Sequence, residues 1–170
     1  MKFRETISYP YPIRALLPVL TDPAFLLRKY EAQGAHNIQM LSQEVCERKS
    51  RICVQRAVPV SVDIPAFAKF MVPAHITLIQ TDSWDKQSHA GQWDVELVGL
   101  SAKVVCQMQM VSKRDGTLQT LDFDVRVGVP LVGGKLEELL ARDLRQKFTK
   151  DTQVTLGIIS SVIAEERELA

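Results

Sequence analysis

The 170-residue chain has only three cysteines, no excess of charge of one sign and no long apolar run. Each absence removes a class of function. The 21 basic residues against 20 acidic ones leave a formal net charge of +1. A nucleic-acid surface needs Lys and Arg in excess on one face, so no nucleic-acid partner is expected, nor strong binding to an anionic lipid surface. No stretch approaches the ~18 apolar residues of a membrane-spanning helix, and residues 1–9 lack the apolar core of a signal peptide. No integral membrane segment and a cytoplasmic location are therefore expected. Three cysteines suit a reducing compartment, where a free thiol is a small buried hydrophobe.

Motifs are also missing. There is no phosphate-cradling glycine loop, no dinucleotide-binding glycine pattern, no Cys-x-x-Cys and no His-Glu-x-x-His, the short patterns that carry a recognisable mechanism. His36, His75 and His89 are scattered without ligand spacing, so no metal site is expected, and no cofactor is implied. No nucleophile–base pair follows from spacing, and catalytic residues remain open.

What is present is an ordinary globular composition, 46% hydrophobic and 24% charged. A chain of this length buries roughly 70% of its unfolded surface. No repeat, linker or low-complexity tract divides it, so residues 1–170 are expected to form one domain.

The alternation of Lys2–Ser8 predicts a first strand with Phe3 and Ile7 inward, ended by Tyr9-Pro10-Tyr11-Pro12. Ile13, Leu16, Leu17 and Leu20 follow at helical spacing. Thr21-Asp22-Pro23 ends that helix and opens another, with Asp22 as N-cap and Pro23 in the first turn, running to Gly34. Asn37–Cys46 with Arg51–Val58, and Ile76–Trp84 with Gln92–Val98, read as two hairpins. Centring the first between Lys49 and Ser50 sets Cys46 opposite Cys53. That position is within disulfide reach, although a reducing compartment favours two thiols. Centring the second between Ser88 and His89 sets Trp84 opposite Trp93.

The last third is the most informative. Asp115-Gly116 is a strong hairpin signal, because a type I′ turn needs positive φ at both central residues. Centring the hairpin there pairs Met110 with Leu121, Met108 with Phe123, Cys106 with Val125 and Val104 with Val127. Gln109 then meets Asp122, and Gln107 meets Asp124. One face is apolar and the other polar, as in a sheet covered on one side. Asp122, Asp124 and Arg126 share the polar face and read as a solvated charge ladder. After Gly133-Gly134 a long helix starts near Lys135, with a stripe of Leu136, Leu139, Leu140, Leu144 and Phe148. Glu138–Arg142 and Asp143–Lys147 are spaced as i,i+4 ion pairs. Gly157 weakens the second half of this helix, yet Ile158, Ile159 and Val162 continue the stripe.

The segment Pro59–Pro73 is unusually apolar for a connection, with a short helix expected over Pro65–Phe70. It reads equally as a plug on the core or as a lid at a pocket mouth.

The order strand, two short helices, six strands and long C-terminal helix resembles the helix-grip arrangement of the START-like (SRPBCC) superfamily. That superfamily includes the birch-pollen-allergen-like proteins and bacterial polyketide cyclases. Within it the chain is similar to an uncharacterised bacterial family. The likeness rests on Tyr9–Pro12, Leu20-Thr21-Asp22-Pro23-Ala24-Phe25, Pro65-Ala66-Phe67, Trp84 and Val129-Pro130-Leu131-Val132-Gly133-Gly134-Lys135-Leu136-Glu137. The resemblance implies an α+β fold in which a curved seven-stranded antiparallel sheet wraps around the long helix. It also implies a cavity between them for lipids, sterols, polyketides or other apolar molecules. It carries over no catalytic residue.

The leading expectation is therefore a binder or carrier of an apolar small molecule, with no reaction implied. Met108 and Met110 offer a soft, adaptable wall. With Trp93, Phe123, Leu144 and Phe148 they form the candidate lining, and Phe67, Phe70 and Met71 the candidate mouth. A cyclase- or hydratase-like enzyme is the alternative. It needs Thr77, Gln80, Ser42 or Arg56 turned inward, and a buried unpaired Arg or Asp would favour it. A protein-interaction module with a filled core is the third reading.

Overall fold

The computed structural model describes residues 1–60, 64–66, 69–70 and 72–169, with the side chains of all but 166, 167 and 169. In chain order the elements are β1 (Lys2–Tyr9), α1 (Ile13–Leu20), α2 (Pro23–Ala32), β2 (His36–Val45), β3 (Lys49–Pro59), β4 (His75–Asp85), β5 (Ala90–Leu97), β6 (Ala102–Lys113), β7 (Gly116–Val127) and α3 (Gly133–Leu169). The strands form one curved antiparallel sheet in the order β1-β7-β6-β5-β4-β3-β2, wrapped around α3. Every hairpin neighbour in sequence is a neighbour in the sheet. Only β1 travels, crossing by way of α1 and α2 to pair with β7.

Alternation decides the two faces of the sheet. Val104, Cys106, Met108 and Met110 of β6, with Leu121, Phe123 and Val125 of β7, are buried on the inner face. The outer face of the same strands holds exposed ion pairs: Arg4 with Asp122 at 2.6 Å and Arg126 with Asp124 at 2.8 Å. Pairs this exposed are screened by solvent and contribute little to stability. They mark the wet side rather than hold it.

Beside their turns, the three hairpin registers differ from the sequence expectation by an even number of positions. Met108 lies opposite Leu121, Met110 opposite Gln119, Cys106 opposite Phe123, Val104 opposite Val125 and Gln107 opposite Asp122. The turn residues are Arg114 and Asp115, and Gly116 opens β7 at φ +145°. Gly116 is needed there by packing: a Cβ on it would overlap the Tyr9 carbonyl oxygen and lie 3.2 Å from the Pro10 Cα. Ser42, not Cys46, faces Cys53. Cys46 sits in the turn, its backbone N–H bonded to the Lys49 carbonyl, and all three thiols are free. Asp82, not Trp84, faces Trp93, and Trp84 lies opposite Gly91. A Cβ on Gly91 would come within 2.7 Å of the buried Trp84 ring, so glycine here makes room for an indole.

The helices follow their signals closely. Pro23 begins α2, and the Asp22 side chain accepts from the Ala24 N–H at 3.0 Å. Asp22→Ala is expected to lower stability by about 1 kcal/mol, read as a shift in a thermal or urea midpoint. Val19, rather than Leu20, completes the buried side of α1. α3 begins at Gly133, two residues before Lys135, where the chain turns tightly against the end of β7. Glu137 secures that junction by accepting from the Val127 N–H at 3.0 Å. Asp143 and Lys147 pair at 2.8 Å, whereas Glu138–Arg142 is not among the ion pairs of the described residues. Of the helix expected over 65–70, Phe67 and Ala68 lie outside the described residues, and Ala66, Lys69 and Phe70 are in turns.

Candidate binding site under the long helix

The inner faces of β3 and β4 carry apolar and polar residues at the same parity. In β3 the inward positions are Ser50, Ile52, Val54 and Arg56. In β4 they include Gln80, Asp82 and Trp84. Register sets Val54 beside Gln80 and Ile52 beside Asp82. The polar groups therefore lie side by side inside an apolar shell. Of the four residues that could have turned inward, Gln80 and Arg56 do so. Ser42 is exposed, and Thr77 takes the parity opposite to Gln80.

α2 closes this island from above. Phe25, Leu26, Lys29 and Tyr30 are its buried side, at i, i+1, i+4 and i+5. The Tyr30 hydroxyl donates to Asp82 Oδ2 at 3.0 Å. Gln80 Nε2 donates to the same oxygen at 3.0 Å, and Gln80 Oε1 accepts from Arg56 Nη2 at 2.7 Å. The Arg56 guanidinium lies 3.9 Å from the centroid of the Tyr30 ring. Lys29 Nζ lies 4.9 Å from the same ring and 5.5 Å from that of Trp93. Such cation–π contacts gain strength when desolvated.

Burial dominates the titration of these groups. It lowers the Lys29 ammonium and raises the Asp82 carboxyl and the Tyr30 phenol, with the opposite charges nearby acting against it for Lys29 and Asp82. Asp151 of α3, half-buried, is also raised by burial and feels Lys147, Lys29 and Arg56. Arg56 Nη1 is buried and has no hydrogen-bond partner among the described residues.

An aromatic group adjoins the island through Trp93. The Phe3 and Phe123 rings stack at 4.7 Å, Trp93 tilts against Phe123 at 6.3 Å, and Phe148 of α3 meets Phe123 edge-on at 6.5 Å. The structure thus brings together three of the sequence-predicted lining residues, Trp93, Phe123 and Phe148. Met108 and Met110 are buried deeper in the core, where Gln119 Nε2 contacts Met108 Sδ at 3.3 Å and accepts at Oε1 from the Tyr9 hydroxyl. Leu144 is half-buried on α3. Of the candidate mouth residues, Phe67 and Met71 lie outside the described residues, and Phe70 is 85% exposed. Phe70 belongs to the connection leaving β3. Exposed Val98 and Leu131 lie in the connections after β5 and β7, at the same end of the sheet.

Lys29, Asp82 and Asp151 were missed as site residues. Parity could have found Asp82, which shares its face with Leu78 and Trp84. Helical spacing could have found Lys29, which falls on the Phe25–Leu26–Tyr30 side. Two surface depressions, of about 630 and 550 Å³, lie elsewhere, at the α1 end and on the outer face around β5–β6. Their linings carry none of these residues. His36 and His75 meet edge-on at 5.2 Å, but no group of three metal-ligating side chains occurs among the described residues.

Together the sheet, the gripped helix and the two early helices define a protein of the helix-grip class. The chain belongs to the family described as protein of unknown function (DUF2505), whose model matches residues 4–159. Solved structures share the fold at low identity. TTHA0849 from Thermus thermophilus is 12% identical, with 95% of this chain and 99% of that one covered and a TM-score of 0.66. Zhui aromatase/cyclase from Streptomyces sp. R1128 is 13% identical over 94% and 93%, with a TM-score of 0.63. Ara h 8.0201 is 12% identical over 95% and 98%, with a TM-score of 0.62. No curated protein matches the chain in sequence. No helix among the described residues is long and apolar enough to cross a membrane.

Proposed function

We propose that the chain, acting as one domain, binds a small apolar molecule between the inner face of the sheet and the middle of α3. The observation that carries this is an uneven burial along α3. Ala141 near one end and Ile158, Ile159 and Ile163 near the other are buried. Leu144, Phe148 and Val154 between them pack against the core yet stay half-exposed. Within that stretch Phe148 meets Phe123 of the sheet edge-on, and Trp93 tilts against the same ring. Covering the half-exposed stretch contributes about 25 cal/mol per Å² of apolar surface removed from water. The lining is Trp93, Phe123, Leu144 and Phe148 with Met108 and Met110 behind. Entry is at the end of the sheet where Phe70 is exposed. Three free cysteines support a cytoplasmic setting.

The test is native mass spectrometry of freshly purified protein, followed by denaturing extraction. A stoichiometric apolar adduct that leaves on denaturation is expected. Leu144→Glu, on a half-buried position, should cut its occupancy at least tenfold while the fold survives. A bare mass, with no uptake from a panel of fatty acids, sterols and aromatic polyketides, would count against the reading. A second reading is an enzyme acting on an apolar substrate. The buried Asp82 and Lys29, both shifted towards their neutral forms, favour it, and one relative by fold is an aromatase/cyclase. Recovery of a chemically altered compound after incubation would select it.

A further inference from the structure

We propose that the ligand carries a carboxylate, and that Arg56 Nη1, with Lys29 beside it, receives that group. This rests on the apolar-binding reading and narrows it to amphipathic monocarboxylic acids. A guanidinium keeps its proton at any ordinary pH, so Arg56, 9% exposed, is a charge held inside the protein. Buried charges are costly unless paired with an opposite charge. Yet no carboxylate touches Arg56 among the described residues. Its hydrogen bond goes to the neutral amide of Gln80, and its flat face rests on Tyr30. Asp82 stands one amide away, its Oδ2 already accepting from Tyr30 and Gln80. Nη1 is left with nothing to donate to.

Charge around the island points the same way. Arg56 and Lys29 are both buried and share the Tyr30 ring, while Asp82 is the buried carboxylate that faces them. Asp151 contributes from the rim of α3, where Lys147 and Lys150 also act on it. A compact anion entering between α3 and the sheet would complete the pairing of Arg56. Carboxylates suit a guanidinium donor, since charge-assisted N–H···O bonds are roughly twice as strong as neutral ones. The Trp93–Phe123–Phe148 group begins beside Lys29, so an apolar tail attached to that carboxylate runs directly onto the aromatic lining.

Binding of decanoate and of decanol, compared by calorimetry, tests this. Both have the same ten-carbon chain and differ in head group. The wild-type chain is expected to bind decanoate at least tenfold more tightly than decanol. Arg56→Met keeps an apolar stem of similar length, and is expected to lose most of that preference with decanol affinity retained. Lys29→Met should reduce the preference less. Equal wild-type affinities for acid and alcohol would overturn the carboxylate assignment and leave apolar binding standing. Binding of neither would overturn both. The wild-type comparison decides even if Arg56→Met fails to fold. Undiminished preference in a folded Arg56→Met variant would overturn the role of Arg56.

Discussion

Asp82→Ala is expected to destabilise the protein by roughly 3–5 kcal/mol, the range for removing one partner from a buried charge cluster. Four groups depend on this carboxylate. Tyr30 and Gln80 both donate to Oδ2, and Lys29 and Arg56 feel its charge inside the protein. Alanine removes the acceptor and the charge together. Two buried cations, Lys29 of α2 and Arg56 of β3, then share the Tyr30 ring without the buried carboxylate that offsets their charge. Asp82→Asn keeps the volume and one acceptor oxygen, and should cost distinctly less. Urea titration followed by tryptophan fluorescence measures both, because Trp84 and Trp93 lie on the same inner face. An Asp82→Ala midpoint equal to that of the wild type would mean that the cluster does not hold α2 to the sheet.

Gly116→Ala is expected to cost about 3 kcal/mol, from a side chain forced into a filled site and from a backbone conformation that L-residues avoid. Gly116 has φ +145°, and its Cβ would collide with the backbone of Tyr9, which has no flexible end to move aside. The consequence is local to the β1–β7 junction, so loss of the Tyr9–Gln119 hydrogen bond should accompany it. Gly34 provides the control. It has φ +86° with open space around it, and Gly34→Ala should cost only about 1 kcal/mol, the conformational part alone. Comparable losses at both positions, by thermal denaturation, would show that close packing of β1 on the turn is not what requires Gly116.

The island between α2 and β3–β4 shows why part of the site was legible and part was not. Arg56 and Gln80 could be singled out from the sequence as polar residues within strands, turned inward by one of the two possible parities. Whether they met depended on the β3–β4 register, which the hairpin patterns do not address; within the three hairpins, register was where the sequence misled. A hairpin slipped by two positions keeps every side chain on its face. The apolar pattern therefore fits Met110 opposite Leu121 as well as Met110 opposite Gln119. What separated the alternatives was packing: the approach of Tyr9 to Gly116 from far along the chain, and of the Trp84 indole to Gly91 across its own hairpin. Neither contact shows in the alternation of apolar and polar residues. The Cys46–Cys53 pairing failed for the same reason, since the turn closes between Cys46 and Lys49.

The sequence by itself determined the element order, the inner and outer faces of the strands, the Asp22 cap and the long final helix. These depend on periods of two and 3.6 residues and on turn chemistry, all expressed within a few neighbours along the chain. The tertiary structure alone decided that Lys29 and Tyr30 of α2 close over Arg56, Gln80 and Asp82, that Asp151 of α3 stands at the rim, and that the middle of α3 stays half-exposed. Those outcomes come from packing between elements far apart in sequence, where burial sets the electrostatics and no local pattern records who the neighbour will be.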